Sequence, residues 1–275
     1  MLKYYLNEKH KGRIMERRQT DEKRICFLDE LRGLAVLCMV FYHAFYILAS
    51  IFSYGWAAKL FDFFTPVQPF FAGLFIFLCG VSCSLTRSNF KRGLKILIAA
   101  AVVTLFTAVI MPLLGFVECE IWFGILHFLS VCVLLGALFE KVTAKIHPVA
   151  GLLICAVLYF FTSGISSGRL GFGEAFSFSL PAEWYQTDWL APIGISSPSF
   201  FSADYFPIFP FVFVFFAGVF SGRYCKKAGY PEWMYPKRIA FLGFLGRNAF
   251  VIYIAHMPII FILTVIIQFV IGLFQ

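Results

Sequence analysis

Three of the five histidines sit inside long apolar runs: His43, His127 and His256. An ionisable ring at such a position is costly and is by default a functional-site candidate. A neutral imidazole accepts a proton at pH 7, so each of the three is a candidate general base, general acid or proton relay. His43 also has a partner at an informative spacing, because Arg32 precedes it by 11 residues. On a helix, that many steps of ~100° return to within ~20° of the same face and climb ~16 Å. A guanidinium that forks onto phosphate would then stand at the mouth of a groove whose floor carries the imidazole. Acyl-CoA has that shape, with phosphates at one end and a thioester at the tip of a long arm. The same spacing is met by an arginine that only anchors the helix at the membrane surface and a histidine that only bonds a neighbouring helix. Spacing alone leaves both readings open.

The elements that must position these residues are membrane helices. Of 275 residues, 60% are hydrophobic and 14% charged, against about 25% charged in an ordinary soluble domain. This balance excludes a soluble enzyme, a disordered tail and a nucleic-acid-binding domain, and the net charge of +8 has to be read by position. Seven runs are long enough, or nearly so, to cross a bilayer as helices: 33–53, 67–86, 93–113, 121–139, 148–163, 205–222 and 248–272. No strand-like alternation competes with them, and no internal repeat supports the inverted architecture common among transporters. The predicted fold is therefore an all-α polytopic membrane protein of about seven transmembrane helices. Residues 1–24 form a basic cytoplasmic segment, 25–275 a single membrane domain, and 164–204 a long extracytoplasmic loop. The first 32 residues carry both charge signs and do not read as a signal peptide.

Orientation follows from the basic residues. Of 23 Lys and Arg, 21 fall on one side of the seven-span arrangement, and only Lys59 and Arg169 fall on the other. The N-terminus is predicted to be cytoplasmic and the C-terminus outside. The eight cysteines include no CxxC pair. They read as small apolar fillers, and no metal site is predicted.

The motifs are similar to those of a known family. Residues 25–43, ICFLDELRGLAVLCMVFYH, resemble the first span of transmembrane acyltransferases: an Asp, then Arg-Gly, then ten residues between Arg and His. The heparan-alpha-glucosaminide N-acetyltransferase catalytic-domain family and acyltransferase family 3 share that pattern. FAGLFIFLCGVSCSLTRSNFKRGLK at 71–95, WFGILHFLSV at 122–131, SADYFPIFPFVFVFFAGVFSGR at 202–223 and LGRNAFVIYIAH at 245–256 resemble the former, and its bacterial members most. In the lysosomal eukaryotic enzyme the matching first-span position looks like Asn, with the proposed catalytic His in the following loop. This chain has no His between His43 and the second span. The resemblance covers about residues 25–272. It implies a bacterial plasma-membrane enzyme that moves an acetyl or short acyl group from cytoplasmic acyl-CoA to a hydroxyl or amine of an extracytoplasmic glycan.

The other polar residues fit around that expectation. Asp29 is one turn before Arg32 and is placed to orient it, or is an ordinary helix-start carboxylate. Arg87, Arg92 and Arg247 are available to donor phosphates, and the Asn248 amide to the pantetheine or to a helix start. Asp204 stands at the outer mouth, where it would hold the acceptor or cap the sixth span. Trp184 and Trp189, beside carboxylates in the long loop, suit stacking on a sugar or an interfacial belt. Gly33, Gly80, Gly124 and Gly218 read as packing residues. Two other classes compete: a small transporter using the buried histidines as proton relays, and a structural membrane subunit.

Overall fold

The protein is described from a computed structural model covering residues 24–116, 119–173 and 176–272. The basic segment 1–24 named above lies outside the described residues up to residue 23, and the 164–204 loop does so at residues 174–175. Among the described residues, five helical stretches are long and apolar enough to cross a membrane: Cys26–Ile51, Gly55–Cys83, Asn89–Leu113, Pro148–Ser167 and Ala249–Val270. Ile98, Val102 and Leu105 on one of them, and Ile262, Ile266 and Phe269 on another, point outward. Helices apolar all round require lipid as solvent. The chain is an all-α polytopic membrane protein, with one short hairpin as its local exception.

It divides into two compact units. In the first, α1 (Cys26–Tyr46) is extended by a π turn at Ile47–Ile51, and α2 (Gly55–Phe64) follows. The second begins at Val67. It comprises α3 (Gln68–Cys83), α4 (Asn89–Leu105), α5 (Ile125–Leu138), α6 (Glu140–Lys145), α7 (Pro148–Thr162), the strands β1 (Arg169–Phe172) and β2 (Phe176–Ser179), and α8 (Phe211–Ala228). The chain then returns to the first unit with α9 (Ala240–Arg247) and α10 (Ala249–Gly272).

In the first unit α1 packs along α9 and α10. The α1–α9 contact is backbone against backbone. A Cβ added at Gly33 would lie 1.9 Å from the Leu242 carbonyl oxygen, and one at Gly246 would lie 1.8 Å from that of Asp29. Only glycine permits that approach. The second unit pairs α3 with α8, α4 with α5, and α7 with α8. Gly80 and Gly218 make the same kind of contact between α3 and α8.

Several sequence-based boundaries move. The second apolar stretch starts at Gly55, not 67, because residues 55–66 continue the helical path through a short 3-10 turn. The sixth starts at Phe211, because Pro207 and Pro210 keep the preceding residues out of a helix. Residues 121–124 likewise lie outside α5, which starts at Ile125. The expectation of no strands also fails. Phe176–Ser179 pairs antiparallel with Arg169–Phe172, a four-residue alternation too short to stand out between long apolar runs.

Candidate active site

The site is built in the first unit, where α10 brings His256 against α1. His43 Nδ1 and His256 Nε2 are 2.8 Å apart, and both rings are buried. The ring planes are inclined by 25°, with centroids 5.0 Å apart. His256 Nδ1 lies 2.6 Å from the backbone carbonyl oxygen of Tyr253. A carbonyl oxygen only accepts, so His256 carries its proton on Nδ1. In the neutral ring, Nε2 is then the acceptor. His43 must therefore donate through Nδ1, and its own Nε2 keeps a lone pair. Among the described residues, no hydrogen bond engages His43 Nε2. The chain of three groups thus fixes the tautomer of both rings and leaves one basic nitrogen unused. Around the dyad the surface is aromatic. Tyr42 lies beside His43 and Tyr253 beside His256, with ring centroids 5.8 and 5.4 Å apart respectively, and Phe61 packs on Tyr42.

The other end of α1 holds a charge cluster. The buried carboxylate of Asp29 accepts from Arg24 Nε at 2.6 Å and from Arg32 Nη1 at 2.7 Å. Asp29 thus holds Arg32 in place, as its one-turn spacing predicts. It stands at the Arg32 end of the helix, well over ~16 Å from His43 by helical rise, so it orients Arg32 rather than meeting the imidazole. Arg32 keeps 20% of its side-chain surface exposed, enough for a ligand to reach. Arg247, at the end of α9, is exposed. Asn248 terminates α9, and its amide donates to the Phe244 carbonyl at 2.9 Å. Its own carbonyl accepts the first hydrogen bond of the next helix, from Ile252 N–H. Asn248 is thus the joint between α9 and α10.

Glu30 belongs to this end and was not singled out in the sequence. It is buried, and its Oε1 accepts the backbone N–H groups of Arg238 and Ile239 at 2.7 and 2.9 Å. A carboxylate on α1 thereby caps the start of α9. Glu30→Ala should cost about 1 kcal/mol, because it removes the acceptor of two partly buried backbone donors. Glu30→Gln keeps an acceptor oxygen and should cost less. Thermal unfolding of the two variants in detergent checks the order. Among the described residues, this end carries Arg24, Arg32, Lys237, Arg238 and Arg247 against Asp29, Glu30 and Glu232, a positive surplus. Arg238 also stacks over Phe27 and Trp233.

The remaining candidates lie in the second unit. His127 has both ring nitrogens engaged: Nδ1 accepts from Gly124 N–H at 3.3 Å, and Nε2 is 3.2 Å from the Thr104 hydroxyl. That hydroxyl in turn donates to the Ile121 carbonyl at 2.7 Å. Asp204 accepts from Ile125 N–H at 3.1 Å. It therefore caps the start of α5, a role that the sequence reading, which left Asp204 between holding the acceptor and capping the sixth apolar segment, did not include. His127 and Asp204 together fix the first turn of α5, where Gly124 admits the Asp204 carboxylate. Arg92 turns inward, 3.0 Å from Cys79 Sγ and 3.8 Å from Cys83 Sγ, so these two thiols are hydrogen-bond partners as well as fillers. Arg87, Trp184 and Trp189 are exposed. Among the described residues, no cluster of His, Cys, Asp and Glu side chains could hold a metal ion.

A protein-family model described as heparan-alpha-glucosaminide N-acetyltransferase, catalytic, matches residues 24–258. No curated protein and no solved structure matches the chain. The matched range takes in Arg32, His43 and His256.

Proposed function

The chain belongs to the heparan-alpha-glucosaminide N-acetyltransferase catalytic family, a family of membrane acetyltransferases, and from that premise we propose that it transfers an acetyl or short acyl group from cytoplasmic acyl-CoA to a hydroxyl or amine of an extracytoplasmic glycan. The observation that carries this reading is the unused Nε2 of His43 in a buried, tautomer-fixed pair. Nε2 removes the acceptor's proton as its oxygen or nitrogen attacks the thioester carbonyl. The tetrahedral intermediate collapses, the carbon–sulfur bond breaks, and the sulfur takes the proton back from His43 to leave as CoA. While His43 is protonated, its Nδ1–H bond to His256 shares the charge over two rings. His256 is in this reading a positioning residue. His127, with both nitrogens engaged, holds the start of α5.

Arg32 and Arg247, at the positive end of the first unit, face the donor phosphates, and Asn248 shapes the same mouth. The buried Asp29 keeps the Arg32 guanidinium presented. Arg32→Ala should weaken CoA binding more than Arg32→Lys, because lysine keeps the charge and loses the fork. Isothermal titration with CoA separates the two variants. Equal affinities in the parent and both variants would reduce Arg32 to a topological anchor.

In this reading the donor spans the distance from the cytoplasmic surface to mid-membrane, so the acceptor stays outside. That requires the basic loops to be cytoplasmic. Cysteines placed at Lys91 and Ser177 should be labelled from opposite faces of sealed vesicles. Labelling of both from one face would contradict the orientation.

A further inference from the structure

The strongest feature outside the His pair is the hairpin in the second unit. Its register pairs Leu170 with Phe178 and Phe172 with Phe176. Side chains alternate along a strand, so these four share one face. Arg169, Gly171, Ser177 and Ser179 share the other. The hairpin is amphipathic, and its apolar face is open: Phe172 is 47%, Phe176 77% and Phe178 73% exposed.

Its position decides what covers that face. β1 begins beside Gly164, just past the end of α7, where the Arg169 backbone lies close to Gly164. By the end of the strand, the Phe172 ring is 5.7 Å from the ring of Phe161, in the last turn of α7. The strand therefore folds back along the apolar helix instead of leaving it. Phe160, in that same last turn, is itself exposed. The aromatic face of the hairpin thus continues the outward surface of a helix that is long and apolar enough to cross a membrane. An isolated two-stranded hairpin is marginal in water and needs a surface to rest on.

We infer that the apolar face shared by β1 and β2 lies in the bilayer interface beside α7, with lipid acyl chains as its partner. A sugar is a poor occupant, because Leu170, Phe172, Phe176 and Phe178 offer no hydrogen-bonding side chain. Aromatic residues are favoured at the membrane–water boundary, and Arg169, Ser177 and Ser179 face the opposite way. The hairpin thereby anchors the start of the long 164–204 loop at the membrane surface. This inference does not depend on acyl transfer.

The test is photocrosslinking of the full-length protein in vesicles of phosphatidylcholine and phosphatidylglycerol. A p-benzoylphenylalanine takes the place of Phe176 in one variant and of Ser177 in another, with positions 178 and 179 as a second pair should either of the first two fail to fold. Mass spectrometry should find lipid adducts at 176 and 178 several-fold above those at 177 and 179. Equal yields on both faces, no lipid adduct at 176 and 178, or a crosslink to a second copy of the chain in its place would overturn the inference.

Discussion

Replacing His43 with Ala should lower acyl transfer by about 10²–10⁴-fold, the range expected for loss of a general base, while CoA affinity should stay close to that of the parent. In the proposed reading the donor's phosphates meet Arg32 some ~16 Å away along the helix, so removing the ring should leave the binding contacts in place. His43→Ala also strands the Nε2 of His256, an unsatisfied buried acceptor that costs about 1–3 kcal/mol. His43→Gln controls for this, because its amide donates to His256 and cannot take a proton. Both variants should therefore bind CoA and fail in transfer, and His43→Gln should be the more stable. Transfer within a few-fold of the parent in a folded His43→Ala protein would remove His43 from the chemistry.

Variants at His256 should rank by what they offer His43 Nδ1. Gln supplies an acceptor oxygen, keeps the productive tautomer and should lose least. Ala leaves Nδ1–H unpaired and lets the ring turn, so it should lose more. Lys can only donate, which forces the proton of His43 onto Nε2 and abolishes the base. Holding a catalytic histidine in the wrong tautomer costs about 10⁴ in turnover. The losses should appear in kcat, with the KM for acyl-CoA nearly unchanged, because His256 touches His43 and not the donor phosphates. Equal activity in His256→Gln and His256→Ala would mean that the 2.8 Å contact has only a packing role.

The membrane helices were legible because lipid leaves a chain no choice: a helix in it must be apolar along its whole length. For the same reason His43 and His256 stood out, since polar rings at that depth are rare. Their pairing was not legible. They are 213 residues apart, and what joins them is the Gly33–Gly246 contact and the break at Asn248, a tertiary arrangement with no local pattern. Glu30 was passed over because a carboxylate next to Asp29 at a helix start looks like a first-turn charge. Its true partners are two backbone donors more than 200 residues away. Asp204 was read as holding the acceptor or capping the sixth span, and its hydrogen bond to the first turn of α5, 79 residues away, has no local pattern. Arg92 was counted with the orientation charges and the donor contacts. Sequence position gives no sign that its guanidinium turns in toward Cys79. The hairpin escaped because its alternation, Phe-Ser-Phe-Ser, lasts only four residues.

The most direct measurement is acceptor-dependent release of CoA by the purified protein in sealed vesicles, with labelled acetyl-CoA on the side of the basic loops and a panel of glycans on the other. The account predicts label covalently attached to a glycan, one CoA released for each group transferred, and both lost in His43→Gln. Passage of solute across the vesicle with the thioester intact, or no CoA release with any acceptor, would contradict it.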